Sequence, residues 1–194
     1  MAYAGQVIDN PVSGERIVFR QTAADTNGEL LAIDLVLSPD GHVPGMHVHP
    51  SQEERFEVVA GTMQFRLGRR KIVAKAGDVV VVPAGAVHKF ENAGVDAAHA
   101  RVEIRPALKM EELFETAAQL AADGRTNRKG MPKPLDLALF VERFAAEVRA
   151  PFPPAPVVKA TMAPLRALAR RRDRRQAQPT ARPSGTMPTV QPAS

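Results

Sequence analysis

Between Gly5 and Pro106 the chain is a succession of short apolar or alternating runs, each closed by a turn signal, with no helical run among them. "ERIVFR" and "LLAIDLVL" come first. "RFEVVAGTMQFRLG" follows, with Phe56 and Val58 before a break at Ala60-Gly61 and Met63, Phe65 and Leu67 after it. That stretch reads as a hairpin. "GDVVVVP" is apolar at every position, which predicts a strand buried on both sides. "HARVEIRP" alternates again. Turns are marked at Asp9-Asn10-Pro11, Asn27-Gly28, Pro39-Asp40-Gly41, Gly77-Asp78 and Asn92-Ala93-Gly94. Many short strands without interleaved helices exclude a parallel βαβ architecture and leave a sandwich or a barrel.

The period changes after Pro106. "LKMEELFETAAQLAAD" sets Leu108, Leu113, Phe114, Ala117, Ala118, Leu120 and Ala121 on one helical face, and Gly124 stops it. "LDLALFVERFAAEVR" reads as a second amphipathic helix, ended by Pro151, Pro153, Pro154 and Pro156. Both are expected to pack on the barrel or on a partner subunit. "VVKATMAPLRALARRR" is a weaker helix, with Pro164 at its start or kinking it. From about Asp173 the chain is Arg, Gln, Pro, Thr and Ser, which cannot build a core, and a disordered tail is expected. The division is therefore 1–106 barrel, 107–150 helical extension and 151–194 tail.

Composition matters at three points. Cysteine is absent, so disulfides and thiolate ligands are excluded, as suits a reducing, cytoplasmic setting. Residues 1–10 show no basic region followed by an apolar run, so no signal peptide is expected, and no stretch suits a membrane span. The net charge of +5 invites a nucleic-acid partner, but its position argues against one. Residues 157–194 carry eight cations against Asp173, a balance of +7, which leaves −2 for residues 1–156. The basicity belongs to the tail, where contact with an acidic or membrane surface is the minority expectation and specific nucleic-acid binding is not expected.

Two of the five histidines, His47 and His49, are one residue apart. In extended chain they point to the same side. Glu54 follows a short connection, and alternation with Phe56 and Val58 turns it inward, while Glu53, Arg55 and Glu57 face solvent. His88 comes after Pro83 and Gly85, at the start of another strand. Three imidazoles and a carboxylate suit Fe, Mn, Ni, Co, Cu or Zn better than Ca²⁺. The plain alternative is polar residues on a solvated strand. His42 and His99 read as surface residues. Phe56, Val58, Met63, Phe65 and Phe90 could line a ligand cavity, with core packing as their first reading. Gly61 and Gly85 are expected in turns closed to other residues, and Asn92 is expected to cap a turn.

The full spacing is Gly41-x5-His47-x-His49-x4-Glu54-x6-Gly61, then Gly77-x5-Pro83-x-Gly85-x2-His88-x3-Asn92, with fifteen residues between the blocks. Over roughly residues 30–105 the chain thereby resembles the cupin superfamily, both of whose motifs are matched at every defining residue. The resemblance implies a mainly β fold, a jelly-roll barrel in which His47, His49, Glu54 and His88 converge on one divalent transition metal ion. It also implies a small organic substrate or ligand and a homodimer. The family's reactions include those of dioxygenases, isomerases, cyclases and decarboxylases, so the fold does not choose among them. The expectation is a dioxygenase-like oxidoreductase, with Glu54 as the candidate catalytic group. The alternatives are a metal-dependent isomerase or cyclase, or a non-catalytic metal- or small-molecule-binding module.

Overall fold

The structure is a computed structural model, which describes residues 2–177. Among the described residues nine strands come first: β1 (Val7–Asn10), β2 (Glu15–Gln21), β3 (Leu31–Leu37), β4 (Glu53–Ala60), β5 (Thr62–Leu67), β6 (Arg70–Lys75), β7 (Val79–Val82), β8 (His88–Asn92) and β9 (Ala98–Arg105). Three helices follow: α1 (Met110–Ala122), α2 (Pro134–Arg143) and α3 (Ala155–Ala177). The strands form a six-stranded sheet, β1-β2-β3-β9-β4-β7, and a three-stranded sheet, β6-β5-β8. Every pairing is antiparallel. The two sheets face each other as a jelly roll, one of the forms the strand pattern leaves open and the one the resemblance implies.

Alternation builds the interior. On β3, Leu31, Ile33, Leu35 and Leu37 are buried, and on β9, Ala98, Ala100, Val102 and Ile104. Phe56 of β4, Phe65 of β5 and Phe90 of β8 meet inside, with ring centroids 5.1 to 6.1 Å apart in edge-on or tilted contacts. Such aromatic pairs add roughly 1 kcal/mol each beyond the area they bury.

Two features of the strand pattern come out differently. The β4–β5 stretch is not a hairpin: β4 pairs with β7 and β9, whereas β5 pairs with β6 and β8. At Gly61 the chain crosses from one sheet to the other. A side chain there would collide with Ala97 O and Ala98 Cα, both 2.8 Å from its Cβ, and φ is +75°. A tight turn between two apolar strands looks the same in sequence whether the strands pair or part. Nor is "VVVV" buried on both faces. Val80 and Val82 are inside, but Val79 and Val81 are 47% and 44% exposed. β7 is an edge strand with one covered face, and the branched side chains there suit a pleated surface whichever way they point.

The helical extension shares the barrel core. Met110 and Leu113 of α1 and Phe144 after α2 belong to the same buried cluster as the strands, and Phe114, Phe140 and Val148 pack against it. Leu108 is not on the buried face of α1; it precedes the helix with φ +47° and is exposed. α2 ends at Arg143 instead of reaching the proline cluster, because Phe144 is fully buried and the chain then turns back along the barrel. α3 runs through Pro164 and past Asp173 to Ala177. Asp136 ties these pieces together: Arg125, beyond α1, and Arg172, on α3, both donate to its Oδ1. Burial would raise the Asp136 carboxyl, but the guanidiniums of Arg172 and Arg125 outweigh it and hold it below the usual carboxylate range. The expected disordered tail falls largely on residues 178–194, which lie outside the described residues. No described helix is long and apolar enough to cross a membrane.

Candidate metal centre

The two motifs bring four side chains to one end of the barrel. β4 supplies Glu54 and β8 begins with His88. His47 and His49 stand on the segment between β3 and β4, where His47 forms a bridge to His88. That bridge is a pair of backbone bonds, His47 N–H to His88 O and His88 N–H to His47 O, each 2.9 Å. One ligand atom from each of the four side chains lies within 4.8 Å of the others. His49, Glu54 and His88 are buried, and His47 is half-buried. The alternation on β4 is as read from the sequence, with Glu54, Phe56 and Val58 buried and Glu53 exposed.

Each imidazole is held the same way. His47 Nδ1 is 2.9 Å from Gly45 O, His88 Nδ1 is 3.0 Å from Ala86 O, and His49 Nδ1 is 2.5 Å from Glu147 O. A carbonyl can only accept, so each Nδ1 donates its proton there and Nε2 turns inward as a lone pair. This is the outer-sphere arrangement that fixes tautomer and ring orientation in histidine metal sites.

The inward atoms cannot satisfy one another. His88 Nε2 is 2.8 Å from Glu54 Oε2, and His49 Nε2 is 3.5 Å from Glu54 Oε1. Glu54 Oε2 and His88 Nε2 are fully buried and, among the described residues, lack a well-directed hydrogen bond. A neutral imidazole lone pair facing a carboxylate oxygen at that distance is repulsive unless a positive charge lies between them. That charge is either a proton or a metal ion. Burial alone would raise the Glu54 carboxyl, but the imidazoles of His49, His88 and His47 outweigh it and bring it to about 2. Burial, with His88 and His49 adding to it, pushes His47 down to about 4. Burial also opposes charging His88, but Glu54 prevails and raises it. Three nitrogen donors and a carboxylate held ionised fit a divalent transition ion.

The motif glycines and asparagine serve the frame. Gly85 has φ +79° and donates its N–H to His49 O at 2.8 Å. Asn92 Nδ2 reaches the carbonyls of Leu37, Ser38 and Asp96, and its Oδ1 accepts from Gly94 N–H. Residues 34–104 match the family model described as "Cupin domain". This segment is a cupin domain. No curated protein matches the chain. Solved structures similar to it include a predicted oxalate decarboxylase from Thermotoga maritima, 23% identical, with a TM-score of 0.47 over 52% of this chain and 90% of that one. An RmlC-like cupin from Shewanella frigidimarina is 19% identical, TM-score 0.47, over 57% and 94%. KdgF from Halomonas sp. is 18% identical, TM-score 0.46, over 52% and 86%.

The remaining sequence candidates fall elsewhere. His42 bonds Asp40 O through Nδ1 and bridges to Glu91 on the barrel flank, apart from the four donors. His99 is half-buried, not freely solvated: its Nε2 lies 3.3 Å from Asp34 Oδ1, on the outer face of the six-stranded sheet, beside a depression of about 330 Å³. A second depression, of about 340 Å³, lies along α1. Neither touches a ligand residue; four converging donors, not cavity size, locate the centre. Sequence reasoning missed the three carbonyls that set the histidines. Gly45 and Ala86 precede their histidines by two residues, a spacing visible only after the fact. Glu147 O comes from the helical extension, and a backbone carbonyl leaves no mark in a sequence.

Proposed function

We propose that the cupin centre holds one divalent transition metal ion through His47, His49, Glu54 and His88, and that the protein is a dioxygenase-like oxidoreductase acting on a small organic molecule. One observation carries the metal reading: with every Nδ1 committed to a carbonyl, three Nε2 lone pairs and an ionised carboxylate meet in a buried space that needs a positive charge. A bound ion would supply Lewis acidity and open positions at which a substrate or O₂ is polarised. The chain's own residues do the rest. The imidazoles keep their inward lone pairs, and Glu54 stays charged. With its carboxyl held below the usual carboxylate range, Glu54 is ionised at neutral pH, as a ligand must be. Phe56 and Phe90 follow Glu54 and His88 by two residues on the same strand faces, so the interior next to the donors is apolar.

A second reading, a metal-binding module without turnover, is favoured by the packing of Phe56, Phe65 and Phe90 across the interior. Elemental analysis of untagged protein, followed by oxygen uptake with small apolar acids, phenols and diketones, separates the two. Iron or nickel with substrate-dependent uptake is the expected outcome. One equivalent of metal without uptake favours the module, and no divalent metal at all overturns both.

A further inference from the structure

The segment that carries His47 and His49 lies between two others. His47 pairs with His88 on one side; Val48, whose backbone groups point the opposite way, pairs with Arg149 on the other. Val48 N–H donates to Arg149 O and Arg149 N–H to Val48 O, both at 2.9 Å. Residues 144–147 form a turn after α2, and Arg149 beyond it lies on the edge of the ligand segment; residues 144–149 together make a strap. The strap is anchored on three sides. Phe144 is fully buried, Val148 packs on the core, and Glu147 Oε1 accepts from Lys109 N–H at the start of α1. From this strap the Glu147 carbonyl accepts the His49 Nδ1 proton, across 98 residues of sequence.

We propose that the strap is a positioning element of the metal centre, so that the helical extension, lying outside both cupin motifs, sets the affinity of the site through the Glu147 carbonyl. This rests on the metal reading above and adds to it a dependence on residues 144–149. Without the strap the His49 ring loses its acceptor. Its proton then exchanges between Nδ1 and Nε2, and the inward lone pair is present only part of the time. Loss of such an outer-sphere partner typically weakens metal binding by about 10- to 100-fold.

The test is Arg149→Pro in the full chain. Proline removes the N–H that bonds Val48 O, next to the Glu147 carbonyl and away from the barrel interior. Arg149→Ala is the control: it keeps that N–H and loses a side chain that is exposed and, among the described residues, bonds only Ala145 O. Zinc affinity is measured by competition with a chromogenic chelator. The His49 tautomer is read in the metal-free protein from long-range ¹H–¹⁵N correlations. Arg149→Pro is expected to weaken zinc by about tenfold or more and to lose the single Nδ1–H signature, with Arg149→Ala matching wild type in both. Val148→Ser loosens the same strap more gently and serves if the proline variant does not fold. Wild-type affinity and an unchanged His49 tautomer in the loosened variants overturn the proposal, as does an equal loss in Arg149→Ala. If wild-type protein binds no zinc or other divalent metal, the metal reading falls, while the metal-free spectra still decide whether the strap orients His49.

Discussion

His88 and His49 are two donors of one candidate centre with opposite dependences. His88 is oriented by Ala86, two residues before it, and His47 by Gly45 in the same way. His49 is oriented by Glu147, 98 residues after it. The first arrangement is complete within a motif: wherever that loop folds, the ring is held. The second requires that a separate part of the chain has docked. A metal centre can therefore be fully specified in its donor atoms by a short motif and still depend, for one donor's orientation, on packing that the motif does not encode.

The largest expected effects test the donor set itself. Glu54→Ala and His88→Ala should each lower metal affinity by more than about 100-fold, because each removes a ligand and leaves its partner buried without a counter-group. Glu53→Ala should stay within about twofold, since its side chain is exposed on the other face of β4. Metal content by elemental analysis of the three proteins is the measurement. Loss on Glu53→Ala with retention on Glu54→Ala would put the β4 register off by one residue.

Next in size is Phe144→Ala. If the extension were an appendage, truncating a residue outside the barrel would cost little. Phe144 is fully buried with the strand residues, so the loss should be about 3–5 kcal/mol, comparable to Phe65→Ala inside the barrel. Denaturant unfolding in the metal-free state measures both. A loss under about 1 kcal/mol for Phe144→Ala would show that the extension does not share the core.

These contrasts mark what was legible in the sequence. The strand series, the change of period at Pro106 and the inward direction of Glu54 were readable because each is a local alternation with a buried consequence. The four donors were readable from two spaced motifs. The three carbonyls that hold the imidazoles were not, nor were several features of the fold. The crossing at Gly61 looks like a hairpin turn until the partners of β4 and β5 are known. The exposed Val79 and Val81 look like core because composition records side-chain type and not neighbours. The end of α2 at Arg143 is set by the burial of Phe144 and by the bridge from Arg149 to Val48, which are tertiary facts.

A third prediction separates His47 from His88 by pH. Burial lowers His47 to about 4, so below its ordinary value of 6.5 the unfolded chain takes a proton that the folded protein refuses. Metal-free stability should therefore fall as pH drops from about 6.5 to 4, by about 1–3 kcal/mol. His88 has the opposite sign. Its folded value is raised, so its contribution is complete below 6.5 and is lost as pH rises through the raised value. His47→Gln should flatten the acid limb and His88→Gln the alkaline one, in urea unfolding of metal-free protein between pH 4.5 and 8.5. An acid limb unchanged in His47→Gln would place that titration elsewhere.

The smallest effect falls where the two modes of holding meet. Gly85 precedes Ala86, whose carbonyl holds His88, and donates its own N–H to His49 O. A Cβ at Gly85 would meet nothing within 4 Å, so Gly85→Ala strains only the backbone, at φ +79°. The left-handed conformation costs a non-glycine residue about 1–2 kcal/mol, or roughly 3–6 °C in melting temperature for a chain of this size. If the loop before His88 is self-sufficient, the chain bears that strain with Gly85 N–H and Ala86 O still in place. Zinc affinity should then change less than about threefold while melting temperature falls. Calorimetry and chelator competition on the same sample give both numbers. A tenfold loss of zinc with an unchanged melting temperature would mean the loop yields before the fold does. In that case the locally held histidine would be as dependent on its surroundings as His49 is on the strap.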